Sequence, residues 1–363
     1  MLDLESLLQL KIEKPDEKTF HRIKKNWDKV SKPIDGLGDF EELICRIGAI
    51  QGKENPGTRN RAALVFCADN GIVEERVSQS GKDITLAVAK ALGKGISSAC
   101  HLGKFANVRI IQVDIGIDSD EVIEGVRSLK VSKGTRNFLM EPAMTLEESL
   151  LAIGRGMDLV KELHESGTDI ISTGEMGIGN TTTSAACLAA LLQVDSEKVT
   201  GRGAGLDDEG LARKKAVVSS ALDKYGFDSP DIVVSDEKSR TFEILRTLGG
   251  LDIAALVGTF IGGALYHVPI VIDGLISATA ALMAERLVPG TKEYMIASHS
   301  GREEGTILAL ESLGLKPFIE GNMALGEGTG ALMLFPLLDM VMDYYQNGAR
   351  FSDYEIDEYE RFE

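Results

Sequence analysis

Short apolar runs recur between residues 62 and 331. Each ends in an acidic or glycine-rich tip, and each is followed by a stretch with helical spacing. The first run, ALVFCA, ends at Asp69, Asn70 and Gly71. VRIIQVDIGI follows, with Asp114 near its tip. The run Asp169–Ile171 leads into STGEMGIGN, VPIVIDG ends at Asp273 and Gly274, and YMIASHSG ends at Ser298, His299 and Ser300. Unbroken apolar runs of this length predict strands buried on both faces, as in parallel sheets covered by helices. Between them, SLLAIGRGMDLVKELHESG, CLAALLQV, LARKKAVVSSALDKYG and the glycine-rich LGGLDIAALVGTFIGGAL read as helices, and TLAVAKALGKGISSACHLGKF reads as a helix or helix pair. The alternation predicts an α/β protein with a doubly wound parallel sheet and a ligand site at the carboxyl edge of its strands. Residues 1 to about 55 carry helical spacing and no strand signal, with KPIDGLGDFEE as a turn-rich hinge. The acidic end, FSDYEIDEYERFE, reads as a tail or a frayed helix.

Two of the glycine-rich tips have the form of phosphate seats. In Ser172–Ala186, Gly174, Gly177 and Gly179 precede Asn180 and Thr181–Thr183, where a helix begins. Free backbone N–H groups and the positive end of the helix dipole favour an anion there. Glu175 would repel a phosphate, which points it toward a sugar or leaving group. In the second, Gly201, Gly203 and Gly205 precede a helix opened by Asp207 and Asp208, from which Lys214 can reach back. Near the chain's end Gly326 and Gly328 bracket Glu327 ahead of a long apolar helix, an arrangement that places a carboxylate as a general base. Asp69, at the tip of the first strand, reads equally as a ligand contact or a turn cap.

Charge narrows the classes of partner. A net charge of −17 and a pI near 4.9 exclude a nucleic-acid surface, which needs clustered Lys and Arg. They leave room for one small phosphate in a local seat. Four scattered cysteines without CxxC spacing suit a reducing cytoplasm, not a disulfide framework or a metal site. The amphipathic start is too polar for a signal peptide, and Ile253–Leu265 is too short to span a bilayer. No GxxxxGK[ST] is present, no GxGxxG follows the first strand, and no DxD or His cluster suggests a metal. A metal-free, cofactor-free site with phosphate seats and isolated carboxylates suits group transfer on a phosphorylated sugar. A nucleotide-binding subunit without turnover is the other class.

GEMGIGNTTTSAA at 174–186, GRGAGLDDEGLARKKAV at 201–217, IDGLISATAALMA at 272–284, SHSGREEG at 298–305 and LGEGTGA at 325–331 together resemble one family closely. It is the nicotinate-nucleotide–dimethylbenzimidazole phosphoribosyltransferases of cobamide lower-ligand assembly. The resemblance covers nearly the whole chain. It implies a Rossmann-like large domain over 59–330, a small helical domain from 1–58 with part of 331–363, a cytoplasmic homodimer and no cofactor. The implied substrates are nicotinate mononucleotide and an aromatic base. It also implies Glu327 as catalytic base with Glu175 beside it. Gly177, Gly179, Asn180, Thr181, Gly203, Lys214, Ser298, Gly326, Asp69 and Ser80 are implied around the substrates. The chain departs from the common pattern at Asn70, at Arg76 where a glycine is usual, and in ITLAVA, which lacks a glutamine. The acceptor therefore stays open between benzimidazoles, purines and phenols, and a heterodimer with a paralogue remains the alternative to the homodimer.

Overall fold

The computed structural model describes residues 2–228 and 236–361. Within them six strands form one sheet: β1 (Arg61–Ala68), β2 (Val108–Gly116), β3 (Arg127–Ser128), β4 (Ile170–Met176), β5 (Ile270–Ile272) and β6 (Met295–Ala297). Their order is β3-β2-β1-β4-β5-β6 and every pairing is parallel. The direction of winding reverses between β1 and β4. In sheets of this order the carboxyl ends of the strands diverge at that point and open a crevice.

All of β1 is buried, as its unbroken apolar run predicts. Its residues alternate between two cores, because successive side chains point to opposite faces. Ala62, Leu64 and Phe66 join one core, formed with helices Leu146–Glu165, Asn180–Leu192, Leu251–Leu265 and Leu275–Leu287. Ala63, Val65 and Cys67 join the other, formed with helices Glu17–Asp28, Asp39–Gln51 and Thr329–Asn347. In that second core Trp27 is fully buried and its ring centroid lies 4.9 Å from that of Tyr345. Among the described residues no helix is long and apolar enough to cross a membrane.

The structure differs from the sequence reading in four places. β4 runs on to Met176, so Gly174 and Glu175 lie on the strand and not in the loop after it. The stretch 248–265 is not one helix: Glu237–Leu248 ends there, Gly249 and Gly250 intervene, and a new helix starts at Leu251. β3 carries no apolar signal because both of its residues are exposed at the sheet edge. The tail makes a short turn at Phe351–Tyr354 and returns to the body through Arg361, which bonds Asp28 and Asp35.

Arg61 ties the first residue of β1 to helix Thr329–Asn347. Its guanidinium is buried, donates to Ala106 O at 2.9 Å and to both carboxylate oxygens of Asp339, and lies 4.8 Å over the ring of Phe335. Removing one partner of a buried charge costs more than the bond itself, because the remaining charge stays desolvated. Asp339→Ala is expected to lower stability by about 1–3 kcal/mol, read as a fall in the urea midpoint with an unchanged slope.

Candidate active site

At the carboxyl edge of β4, β5 and β6 lies a cavity of about 690 Å³, well within the range of small-molecule sites. Its floor is set by a close backbone approach. Gly174 on β4 faces the peptide of Glu327, and a Cβ built on Gly174 would stand 2.8 Å from the Glu327 carbonyl oxygen. A Cβ on Gly328 would likewise stand 2.8 Å from Thr173 O. Gly326, Glu327 and Gly328 all have positive φ, at 91°, 58° and 79°. For a glutamate that is a strained conformation, held here by its surroundings. The loop is thereby pressed onto β4, and Glu327 is delivered beside Glu175. The side chain of Glu327 accepts from Ala99 N at 3.0 Å through Oε2.

Glu175, Asp273 and Glu327 line this floor, and a fourth carboxylate, Asp252, is buried behind it. Glu175 is buried at the end of β4. Asp252 is fully buried at the start of helix Leu251–Leu265, and the Asn180 amide donates to both. Asp273, past β5, accepts from Ala331 N at 3.0 Å, and so holds helix Thr329–Asn347 against the β5 tip. Among the described residues no three acids, histidines or cysteines converge to hold a metal ion. Burial raises the Glu175 carboxyl to about 8, and the negative charge of Asp252 adds to the rise while the Asn180 bond opposes it. Asp252 rises to about 6, chiefly through burial.

One residue on from Asn180 a different set of groups gathers. Thr181 stands in the first turn of helix Asn180–Leu192. Lys214, fully buried on helix Asp208–Tyr225, donates to Thr181 Oγ1 at 2.8 Å. Gly203 closes over both: a Cβ there would lie 2.8 Å from Thr181 Oγ1 and 3.4 Å from Lys214 Nζ. Burial lowers Lys214 to about 8, against the pull of nearby Glu303. A helix N-terminus, a left-handed glycine and a lysine thus converge on one spot, the arrangement that binds a phosphate.

Most of the residues singled out from the sequence meet here. Glu175, Gly177, Asn180 and Thr181 line the cavity from the β4 side, Ser80 and Gly203 from its rim, and Gly326 and Glu327 from its floor. Gly179 and Lys214 stand just behind that wall, touching Asn70 and Thr181. Ser298 does not reach the cavity. Its hydroxyl donates to Ile272 O at 2.6 Å and bonds His299 Nδ1 at 2.9 Å, so that His299, packed against Gly330, presents the ring instead. Asp69 also stays outside. Its carboxylate accepts from Asp118 N at 2.8 Å and its carbonyl from Thr135 N at 3.1 Å. The chain between β2 and residue 135 therefore closes the tip of β1 and shifts the open crevice toward β4–β6.

The chain matches the family model described as "Phosphoribosyltransferase" over residues 12–356. It is 40% identical over 338 residues to the nicotinate-nucleotide–dimethylbenzimidazole phosphoribosyltransferase of Acetivibrio thermocellus, covering 93% of this chain and 94% of that one. The protein of the same description from Ruminiclostridium cellulolyticum is 37% identical over 360 residues, covering 99% and 98%. The chain belongs to this phosphoribosyltransferase family. The crystal structure of CobT from Thermus thermophilus superposes with a TM-score of 0.86 at 32% identity, covering 94% of this chain and 99% of that one. Membership agrees with the Rossmann-like sheet and with the paired glycine loops of this phosphoribosyltransferase.

Three site groups escaped the sequence reading. Asp252 had a signal, as the lone acid in an otherwise apolar helix. Glu303, with a buried and unpartnered Oε1 beside Gly201, lies inside SHSGREEG but is given no role by that reading. The Ala99 amide is a main-chain group and has no side-chain signature.

The raised carboxyl of Glu175 makes stability depend on pH. Between about 4.5 and 8 the folded chain keeps a proton that the unfolded chain has lost, so stability falls as pH rises through that window. Asp252 adds a contribution of the same sign up to about 6. Glu175→Gln is expected to flatten the dependence, measured as the change in urea midpoint between about pH 5.5 and 8.5. An equally steep fall in the variant would contradict the assignment.

Proposed function

We propose that this cavity transfers the 5-phosphoribosyl group of nicotinate mononucleotide to a ring nitrogen of a lower-ligand base such as 5,6-dimethylbenzimidazole, giving α-ribazole 5′-phosphate and nicotinate in cobamide assembly. One observation carries the reading. The carboxylates of Glu327 and Glu175 share a cavity with Thr181 and Gly203, behind which Lys214 stands, in a space that suits one nucleotide and one bicyclic base. The curated relatives of Acetivibrio thermocellus and Ruminiclostridium cellulolyticum bear the name of this reaction.

In this reading the phosphate enters the seat as a dianion and anchors the ribose, so that binding energy far from C1′ orients the reacting atoms. The acceptor nitrogen forms a bond to C1′ from the face opposite nicotinate. The C1′–N bond breaks, its electron pair goes to the pyridine nitrogen, and the ring leaves with its positive charge cancelled. The acceptor's other nitrogen gives its proton to Glu327. Negative charge on the floor stabilises the sugar cation that develops between the two bonds. Ile84, Val88, Met176 and Ile178 offer the acceptor an apolar wall with Ser80 at its edge.

Two properties outside the chemistry belong to the same proposal. Met333 and Met340 lie two turns apart and exposed on helix Thr329–Asn347, an apolar face that suits a homodimer. The free, buried state of Cys45, Cys67, Cys100 and Cys187 suits a cytoplasmic setting.

Glu327→Gln is expected to leave nicotinate mononucleotide binding within about threefold by calorimetry and to lower turnover roughly a hundredfold or more. Near-normal nicotinate release from the folded variant in the presence of acceptor would remove Glu327 from the role. Release by the wild type without any acceptor would recast the chain as a hydrolase.

A further inference from the structure

We propose that the backbone N–H of Ala99, at the start of helix Ser98–Phe105, is the positioning group for the Glu327 carboxylate, leaving Oε1 as the oxygen that receives the acceptor's proton. The inference rests on the reading of Glu327 as the base.

The geometry has two independent parts. Glu327 is gripped through its backbone, where its carbonyl is wedged against Gly174, and through its side chain, where Oε2 accepts from Ala99 N at 3.0 Å. A glutamate at φ 58° between two positive-φ glycines would otherwise be free to relax, and the two grips lie on different elements of the fold. The donor itself is stiffly held. Ala99 is fully buried, the Ser97 side chain caps the helix by accepting from Cys100 N at 3.2 Å, and Cys100 Sγ donates to Leu92 O at 3.6 Å. That last bond joins the helix to Asp83–Gly93, which supplies Ile84 and Val88 to the cavity wall. The base and the acceptor's wall are therefore set by one connected pair of helices.

The contact does two things. It selects a rotamer in which only one oxygen faces the cavity. It also sets the carboxylate at the positive end of helix Ser98–Phe105, on a main-chain donor that cannot swing away. The charged and titratable groups facing Glu327 are Glu175 from β4 and Cys67 from β1, with Asp273 past β5 and His299 past β6 packed against the next turn of its own helix. Among the groups around it, the Ala99 amide is the one whose hydrogen bond holds the Glu327 side chain.

The test removes this one N–H. L-Lactate in place of Ala99, introduced by nonsense suppression, exchanges the amide for an ester and keeps the side chain. Ala99→Pro removes the same hydrogen genetically, in the helix's first turn, where proline is tolerated best. In the ester variant kcat is expected to fall about tenfold or more, with KM for nicotinate mononucleotide within about twofold and the acid limb of the kcat profile moved up by about one pH unit. Adding the ester to Glu327→Gln is expected to cause no further loss, because the two changes act through one group. A purely structural role would lower the thermal midpoint without moving the acid limb. An ester variant with wild-type kcat and acid limb would overturn the inference, whether or not Ala99→Pro folds. If Glu327→Gln kills turnover while the ester changes nothing, the positioning claim alone fails. If Glu327→Gln keeps turnover, the reading beneath it fails.

Discussion

The site depends on the meeting of two backbones. Gly174 on β4 leaves room for the Glu327 peptide, and Gly328 leaves room for β4 in return. No side chain makes this contact. A Cβ on either glycine would hold the two segments apart, move Glu327 off the floor and open the gap between it and Glu175. Everything downstream follows from that approach: the left-handed turn through Gly326–Gly328, the start of helix Thr329–Asn347 at Thr329, and the return of that helix to the sheet through Asp273 and Arg61.

The cavity brings groups of both charges together. Glu175, Asp273 and Glu327 line it, with Asp252 buried behind them. Burial and their mutual repulsion push Glu175 toward its neutral form. The same cavity joins a helix N-terminus, the Gly203 turn and Lys214, whose own charge is disfavoured by burial and favoured by nearby Glu303. A substrate with a phosphate at one end and a cationic ring at the other relieves both penalties at once. A site of this kind is costly to fold and favourable to fill, the ordinary trade between stability and activity. Asn180 limits the cost among the acids, since its one amide group donates to both Glu175 and Asp252.

Much of this was legible in the chain. The unbroken run ALVFCA announces a central parallel strand, and the tips at Glu175, Asp273 and His299 do share one edge of the sheet. Glu327 between glycines was legible as a base candidate because the residue types alone imply a constrained carboxylate. Other features were not. Asp69 ends a strand like the rest, yet the loop after β2 folds over it, and no local pattern records a loop's path. Ser298 faces away because its hydroxyl finds the Ile272 carbonyl, a contact between neighbouring strands. β4 outruns its apolar stretch because pairing with β1, Val65 to Gly174 and Phe66 to Glu175, keeps these residues extended. The Ala99 amide could not be read at all, since every residue except proline has one.

The central claim is that one cavity holds the phosphate at Thr181 and Gly203 while the Glu327 side chain faces the acceptor. A crystal structure of the Glu327→Gln variant with nicotinate mononucleotide and 5,6-dimethylbenzimidazole bound tests it most directly. The account predicts phosphate oxygens bonded to Thr181 and the Gly203 amide, and an acceptor nitrogen within about 3 Å of the residue 327 side chain. A phosphate seated elsewhere, or an acceptor ring far from residue 327, would contradict it.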